Sequence, residues 1–225
     1  MDTVCVRLWL GEVAARLEAE RDFLTQLDAA IGDADHGINM HRGFTAVMAR
    51  VASLDEATPG QLLRSAGRTF VSTVGGAAGP LYGTAFLAAG EALGEGDEFG
   101  PRRLLAALRA SLEGVQRVGA ASEGEKTMVD ALAPGLAAFE RGLERGGSLE
   151  MAARTAAAAA AEGMRATIPM QARKGRASYL GPRSVGHQDP GATSTSLMFA
   201  ALADAVLADR SQRFAGGARR PASGQ

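Results

Sequence analysis

Hydrophobic side chains recur every three or four residues along most of the chain, which is the spacing of one buried face of a helix. The first stripe contains Trp9, Val13 and Leu17 and resumes at Leu24, so it predicts one helix that ends near Ala30. Further stripes predict seven more helices, which contain the segments 40–51, 62–70, 81–87, 104–112, 128–143, 156–161 and 197–206.

Prolines and small polar residues mark the points where several of these helices begin. Thr58 is a capping residue followed by a proline at the first helical position, and Pro80 and Pro101 open later helices. Ser148 follows two glycines and is expected to cap the seventh helix. Eight helices with short connections predict an all-α fold, an antiparallel eight-helix bundle or barrel.

The pattern loses its regularity between residues 163 and 190, where prolines and glycines interrupt it. An irregular segment of this length in a compact domain is usually functional or disordered. The last helix is predicted at 191–209, and the polar segment 210–225 is predicted to be a disordered tail. Because no linker or repeat divides the chain, we expect a single domain over residues 1–209.

Composition and charge narrow the classes of protein that this chain can belong to. The formal net charge is −1, so no overall electrostatic attraction favours nucleic acid or an anionic membrane. Cys5 is the single cysteine, which excludes an internal disulfide framework. Arg7 and Glu12 interrupt the first apolar run, which therefore does not look like a signal peptide or a membrane span. We expect a cytoplasmic protein with neither a nucleic acid nor a membrane as partner.

Three carboxylates, those of Asp28, Asp33 and Asp35, follow one another closely where the first helix ends. Gly32 is expected to let the backbone turn, so that the second and third carboxylates approach the first. Clustered carboxylates repel one another unless a cation lies between them, and hard oxygen ligands favour Mg²⁺, Mn²⁺ or Ca²⁺ over zinc. The sequence therefore indicates a divalent metal site.

Two other interpretations of this acidic segment are simpler. Asp33 could merely cap the next helix, since Asp is a preferred N-cap residue, and spacing alone leaves this alternative open. A calcium-binding loop that began at Asp33 would need Gly at its sixth position and Glu at its twelfth. Those positions hold Ile38 and Phe44, so the calcium-loop interpretation fails.

Four connections rich in small or polar residues, 32–39, 74–80, 119–127 and 173–191, recur at every second helix junction. In an up-and-down helical fold such connections lie at the same end, so a binding site is expected there. The glycines of 75–80 precede a helix and offer free backbone N–H groups that suit a phosphate. Arg176 could contact phosphate in a bidentate manner, whereas Lys126 is expected to be solvated. His36 and His187 have no obvious nucleophile beside them, so no catalytic triad is assigned.

Charge arithmetic favours a nucleotide at this end. A nucleoside triphosphate carries about four negative charges, which cannot lie beside three carboxylates unless cations bridge them. Two Mg²⁺ ions would supply about four positive charges and would stabilise charge during phosphoryl transfer.

Five blocks of the sequence resemble, in the same order, the nucleotide-binding L subunit of dihydroxyacetone kinases, the DhaL family. The first is Leu-Asp-Ala-Ala-Ile-Gly-Asp-Ala-Asp-His-Gly-Ile-Asn-Met at 27–40, and the second is Gly-Gly-Ala-Ala-Gly-Pro-Leu-Tyr-Gly-Thr at 75–84. The others are Gly-Glu-Lys-Thr-Met-Val-Asp at 124–130, Ala-Arg-Lys-Gly-Arg-Ala-Ser-Tyr-Leu-Gly at 172–181 and Gly-His-Gln-Asp-Pro-Gly-Ala at 186–192. Together they extend over most of the chain up to about residue 208.

The resemblance implies an eight-helix antiparallel barrel with ADP or ATP at one end. Asp28, Asp33 and Asp35 would bind two Mg²⁺ ions that hold the phosphates. The residues that match nucleotide-contacting positions of the family are His36, Asn39, Gly76, Ala77, Ala78, Gly79, Gly119, Met128, Arg176, Asp189, Pro190 and Gly191. The sugar would bind to a separate K subunit that also supplies the catalytic base, so no catalytic residue is assigned on this chain.

Two positions depart from the family pattern. Ala34 stands where the family usually has glycine, and Ala78 stands where it usually has serine in the loop that faces the phosphates. Losing that hydroxyl removes a contact worth about 1 kcal/mol.

The leading hypothesis is a phosphotransferase subunit that passes a phosphoryl group to dihydroxyacetone or a related short ketose. The donor stays open between ATP that exchanges and bound ADP that a phosphotransferase-system protein, the M subunit, rephosphorylates. The alternative function is a non-catalytic module that binds nucleotide and regulates a partner. The sequence is compatible with a homo-oligomer and does not define one.

Overall fold

The computed structural model describes the backbone of residues 1–217 and the side chains of residues 1–211. Within that part of the chain the only regular elements are helices, apart from an isolated β-bridge between Asp2 and Glu98. The α-helices are α1 (Thr3–Ala19), α2 (Arg21–Ile31), α3 (His36–Ala52), α4 (Pro59–Thr73), α5 (Ala78–Leu93), α6 (Pro101–Gly119), α7 (Val129–Glu144), α8 (Leu149–Ala166) and α9 (Pro190–Gly217). A 3-10 helix over Arg176–Ser184 lies between the last two.

Eight of the helices in the described chain close into a ring. From α3 to α9 each helix packs against the next, α9 packs against α1, and α1 packs against α3. Long helices joined by short connections can lie side by side only if they run in opposite directions. The predicted all-α eight-helix barrel is therefore confirmed, and α2 is the helix that lies outside the ring, against α3 and α9.

The prediction of a single first helix is wrong, because that helix is interrupted at Glu20 and so forms two helices, α1 and α2. The backbone of Glu20 has left the helical region, with φ −98° and ψ 9°. Tertiary packing explains the break, since α2 must leave the ring to lie against α3. At this contact a Cβ on Gly37 would lie 2.0 Å from the carbonyl oxygen of Arg21, so the two backbones touch.

The last helix continues beyond the predicted end at Asp209 and reaches Gly217. Arg210 forms an ion pair with Glu150 of α8 at 3.3 Å, which ties this extension to the ring. The predicted tail 210–225 is thus helical as far as Gly217, and its remaining residues 218–225 lie outside the described chain. The predicted domain limits stay a prediction.

The interior of the ring is an apolar core with an aromatic centre. Phe44 contacts Phe70 and Phe86 edge-on, with ring centroids 5.3 and 5.9 Å apart, and Trp9 lies 6.1 Å from Phe86. Among the described helices, one segment, Pro190–Ser211, is long and apolar enough to cross a membrane. Because 61% of the apolar 18-residue stretch within that segment is buried inside the structure, it has the character of a core helix.

Candidate functional site

A cavity of about 1100 Å³, part of it open to solvent, lies where the α2–α3, α4–α5, α6–α7 and α8–α9 connections meet. These are the four connections that the sequence placed at one end of the fold. With one exception, the residues predicted to hold metal or nucleotide all line this cavity. They are Asp28, Asp33, Asp35, His36, Asn39, Gly76, Ala77, Ala78, Gly119, Met128, Arg176, Asp189, Pro190 and Gly191.

The exception is Gly79, which is buried and does not line the cavity. A Cβ at this position would lie 2.0 Å from the carbonyl oxygen of Val74. Gly79 therefore allows the first turn of α5 to start directly against the end of α4, which is a packing role.

The acidic segment folds around the carboxylate of Asp28, in the last turn of α2. Its Oδ2 accepts hydrogen bonds from the backbone N–H groups of Asp35, at 2.8 Å, and His36, at 3.1 Å. The left-handed residue is Ala34, with φ +62°, rather than Gly32, whose φ is −140°. Gly32 serves instead to leave space, since a Cβ there would lie 2.0 Å from Oδ1 of Asp28.

This fold brings one carboxylate oxygen from each of Asp28, Asp33 and Asp35 within 4.8 Å of the others. Oxygen ligands on opposite sides of one Mg²⁺ ion lie about 4.2 Å apart, so this spacing fits divalent cations. The capping alternative for Asp33 is not supported, because the N-cap of α3 is Asp35 and α3 has no side-chain capping bond. Asp33 forms an ion pair with Arg176 at 3.1 Å instead.

A chain of hydrogen bonds connects His36 to the interior. Its Nε2 lies 2.9 Å from the hydroxyl of Ser194, which lies 2.7 Å from the hydroxyl of Tyr82. The Tyr82 hydroxyl also lies 2.9 Å from the carbonyl oxygen of Gly191 and so joins α5 to the start of α9. Burial lowers the pKa of His36 to about 4, against a smaller opposing effect of the Asp28 charge, so the imidazole is neutral at pH 7.

The glycine-rich connection before α5 presents bare backbone to the cavity. Cβ atoms on Gly75 or Gly76 would meet nothing within 4 Å, and Gly76 has φ +64°. The helix begins at Ala78 rather than at the predicted Pro80, and no side chain caps it. Its first N–H groups therefore remain available to an anion at the positive end of a helix.

Asp189 caps the last helix from inside the site. Its Oδ2 accepts a hydrogen bond from the backbone N–H of Ala192 at 2.7 Å, with Pro190 at the first helical position. Burial raises the pKa of Asp189 to about 7; the hydrogen bond from Ala192 and the Lys126 charge oppose this increase, and the charges of Asp130 and Asp28 add to it.

Lys126 is the clearest disagreement with the sequence-based expectation. The sequence predicts a solvated side chain, whereas Lys126 is only 1% exposed and also lines the cavity. Its ammonium group donates hydrogen bonds to backbone carbonyls that lie more than forty residues away in the chain. Since these partners are backbone atoms, no residue type in the sequence identifies them.

Some further residues of the cavity wall, among them Tyr82 and Lys174, were not predicted to bind anything. Tyr82 lies within α5, and Ser194, which contacts His36 but does not line the cavity, lies within α9, so neither residue carries a local signal. Lys174 lies two residues before Arg176 in the same basic segment. This proximity to a predicted site residue was the indication in the sequence that Lys174 belongs to the site. His187 is exposed and does not line the cavity, so it is not positioned to form a pair with His36 there.

Comparison with known proteins identifies the family of this chain. The model of the family described as "DAK2 domain" matches residues 30–204. The chain is 42% identical over 195 residues to the "PEP-dependent dihydroxyacetone kinase, ADP-binding subunit DhaL" of Escherichia coli (strain K12), covering 87% of this chain and 93% of that protein. It is 39% identical to the "PEP-dependent dihydroxyacetone kinase 1, ADP-binding subunit DhaL" of Listeria innocua, covering 86% of this chain and 92% of that protein.

Longer proteins are also similar. The chain is 37% identical to a D-erythrulose kinase of Mycolicibacterium smegmatis, over 88% of this chain and 34% of the kinase. The crystal structure of the dihydroxyacetone kinase from C. freundii in complex with AMP-PNP and Mg²⁺ matches with a TM-score of 0.67 and 26% identity. That match covers 89% of this chain and 33% of the kinase.

Proposed function

The chain belongs to the DAK2 domain family, within the DhaL group of dihydroxyacetone kinase subunits, and we propose that it works as the nucleotide-binding subunit of such a kinase. In this role it passes a phosphoryl group from a Mg²⁺-bound nucleotide to dihydroxyacetone, or a related short ketose, on a separate K subunit. The subunit acts in the cytoplasm and is active only with that partner.

One observation carries the proposal: three carboxylates and the uncapped start of α5 line the same cavity. The carboxylates attract cations, and the free N–H groups attract an anion. Neither a lone metal nor a lone phosphate would require both. A nucleotide whose phosphates carry Mg²⁺ matches this combination.

Asp28, Asp33 and Asp35 are the residues that would hold two Mg²⁺ ions. When bound, Mg²⁺ neutralises phosphate charge and polarises the phosphorus–oxygen bonds that change during transfer. The N–H groups of the 76–78 segment would hold phosphate oxygens, and Arg176 would move from Asp33 to a phosphate oxygen. His36, neutral at pH 7, would contribute a hydrogen bond and no charge.

The two relatives named as ADP-binding subunits of PEP-dependent kinases are 42% and 39% identical to this chain, against 37% for the longer D-erythrulose kinase. We therefore favour the version in which ADP stays bound and an M subunit of the phosphotransferase system rephosphorylates it. A long-lived ADP suits a site to which four connections contribute lining residues, because such a site can contact the nucleotide from several sides.

Replacing one metal ligand tests this function. Asp33→Asn should weaken Mg-ADP binding by at least the roughly 10–100-fold that outer-shell changes cost metal sites, because it removes a direct ligand. Isothermal titration with and without Mg²⁺ measures the effect. Asp55→Asn, at an exposed position in the α3–α4 connection, is the matched control and should bind as the unmodified protein does.

Reconstitution with a dihydroxyacetone-binding K subunit separates the kinase from a regulatory module. The kinase role requires that the reconstituted pair forms dihydroxyacetone phosphate when it is supplied either with ATP or with the M subunit and its phosphotransferase-system donor, and that Asp33→Asn abolishes this formation. A pair that binds Mg-ADP normally but transfers no phosphoryl group from either donor would overturn the kinase role and support a regulatory one.

A further inference from the structure

Lys126 is held in an unusual way for a lysine. Its side chain is 1% exposed, and its ammonium Nζ donates to the carbonyl oxygens of Thr167 at 2.7 Å, Met170 at 3.2 Å and His187. We call these three oxygens the carbonyl cage. An ammonium group has three N–H donors, so the cage satisfies all of them, and a fourth carbonyl, that of Ile168, lies further away at 3.5 Å.

The backbone of Lys126 is strained as well. Its φ is +61°, in the left-handed region that L-amino acids other than Asn and Asp rarely occupy. Such strain persists only where the surroundings fix it, and it concentrates at functional sites. The strain and the burial together indicate that the ammonium group is held at this place by the structure around it.

The carbonyl cage joins three segments that each continue into the cavity wall. Thr127 and Met128 follow Lys126 directly, the segment 174–177 follows Met170, and the segment 189–191 follows His187. Hydrogen bonds between these segments also hold them together around the carbonyl cage. The backbone N–H of Arg173 donates to the carbonyl of Glu125 at 3.1 Å, and that of Asp189 donates to the Thr167 hydroxyl at 3.0 Å.

We propose that Lys126 is a positioning residue: its ammonium group acts as a tethered cation that closes the carbonyl cage and so fixes three walls of the nucleotide site in register. This inference rests on the proposed function in one respect: the effect on nucleotide affinity can be measured only if the chain binds a nucleotide. Lys126 need not touch the nucleotide, because it acts through the segments that do.

The residue type agrees with this role. Only two of the chain's 24 lysine and arginine residues are lysines, so arginine is the usual basic residue of this chain. A compact ammonium directs three rotatable donors that do not share one plane with it, whereas the five donors of the bulkier guanidinium of arginine all lie in one rigid plane. The buried charge also lies near two carboxylates, those of Asp189 and Asp130, which offset part of its burial cost.

The main test compares Lys126→Met with Leu17→Ala in the full chain. Methionine keeps the apolar stem and removes the ammonium group, and Leu17 is a fully buried side chain of α1 that does not line the cavity. Lys126→Met should raise the Mg-ADP Kd by at least about tenfold, as the loss of other supporting partners does. Leu17→Ala should lower Tm and leave that Kd unchanged.

Hydrogen exchange without nucleotide gives an independent readout. In Lys126→Met the amides of 167–170 and 186–191 should exchange faster than in the unmodified protein, while those of α4 and α5 should not change. A Kd within twofold of the unmodified protein, or unchanged exchange in these segments, would overturn the proposal.

A second measurement needs no variant and applies even if Lys126→Met does not fold. ¹⁵N-lysine labelling gives signals from two side chains only, and the ammonium hydrogens of Lys126 should exchange slowly enough to be observed by NMR. A rapidly exchanging ammonium at Lys126 would overturn the proposal. An unmodified protein that binds no Mg-ADP would overturn the proposed function instead, and the exchange and NMR results would still decide the role of the carbonyl cage.

Discussion

Ala34 stands between two of the three clustered aspartates with φ +62°, a backbone conformation that costs an L-amino acid roughly 1–2 kcal/mol. The strain exists because the turn must bring the side chains of Asp33 and Asp35 back towards Asp28. Glycine would adopt this conformation without strain, but it would lose more entropy on folding. The relief of backbone strain is larger than this loss of entropy.

Ala34→Gly should therefore stabilise the protein by about 0.5–1 kcal/mol, which corresponds to a rise of a few degrees in Tm. Thermal unfolding in EDTA measures this without interference from bound metal. The control is Ala106→Gly at an exposed position of α6, where the same exchange should cost about 1 kcal/mol because glycine disfavours a helix. If both variants lost stability equally, Ala34 would not be strained.

Asp189→Asn tests the buried carboxyl. The pKa of Asp189 is about 7 in the folded protein and 3.8 in a model peptide, so the folded state binds this proton more tightly. The unmodified protein should thus lose stability relative to Asp189→Asn as the pH rises from about 4 to about 7, by about 2–4 kcal/mol in all. Asparagine can still accept the Ala192 hydrogen bond.

Urea unfolding of both proteins at several pH values between 4.5 and 8 gives this difference. A difference in unfolding free energy that stays constant with pH would show that Asp189 titrates near its ordinary pKa and contradict the assignment.

Ala78→Ser concerns the start of α5, where the resemblance to the DhaL family leads us to expect a hydroxyl. Restoring it should add one hydrogen bond to a phosphate oxygen, worth about 1 kcal/mol, or roughly a fivefold lower Kd for Mg-ADP. Titration calorimetry measures the change. An unchanged Kd would indicate that no phosphate oxygen lies within reach of residue 78.

At the residue scale, the three aspartates and the predicted glycines other than Gly79 line one cavity, as their residue types and spacing had indicated. Their binding of metal and nucleotide stays a prediction. Lys126 could not be identified this way, because its partners are backbone carbonyls from residues 167–187 and its own neighbours, Gly124 and Glu125, suggest an exposed turn. Tyr82 and Ser194 have the spacing of ordinary helix residues, so the hydrogen bonds that join His36 to Ser194 and Ser194 to Tyr82 depend on the tertiary fold.

At the element scale, the contact between α4 and α5 sets the position of the glycine-rich connection. The two helices approach so closely that a Cβ on Gly67 would lie 2.6 Å from the carbonyl oxygen of Gly83, and one on Gly90 would lie 2.6 Å from that of Gly60. Periodicity predicted both helices, although α5 begins at Ala78, two residues before the predicted Pro80. It did not predict the break at Glu20, because no proline or glycine marks it, and the packing of α2 against α3 is a tertiary effect.

Gly67→Ala should destabilise the protein by about 1–3 kcal/mol, since the added methyl group has to displace the backbone of α5. Gly11→Ala is the matched control in α1. Its Cβ would meet nothing closer than Met48 Cε at 3.8 Å, so it should be neutral or stabilise by up to about 1 kcal/mol. Equal unfolding free energies for the two variants in urea would contradict the close contact of α4 and α5.

At the scale of the whole molecule, an even ring of helices brings every second connection to one end. The positions of four connections rich in small or polar residues predicted that these connections lie at the same end of the fold. The cavity lies where they meet. The order of helices around the ring follows from their order in the chain. The separate position of α2, and the depth to which Lys126 is buried, follow from packing that no single segment specifies.

The most direct test of the central claim is to purify the protein without added nucleotide, denature it and analyse the supernatant by anion-exchange chromatography. Our proposal expects ADP at about one molecule per chain, and loss of that ADP when the protein is dialysed against a chelator. A chain that carries no ADP, and that takes up neither Mg-ADP nor Mg-ATP on titration, would contradict the assignment as a nucleotide-binding kinase subunit.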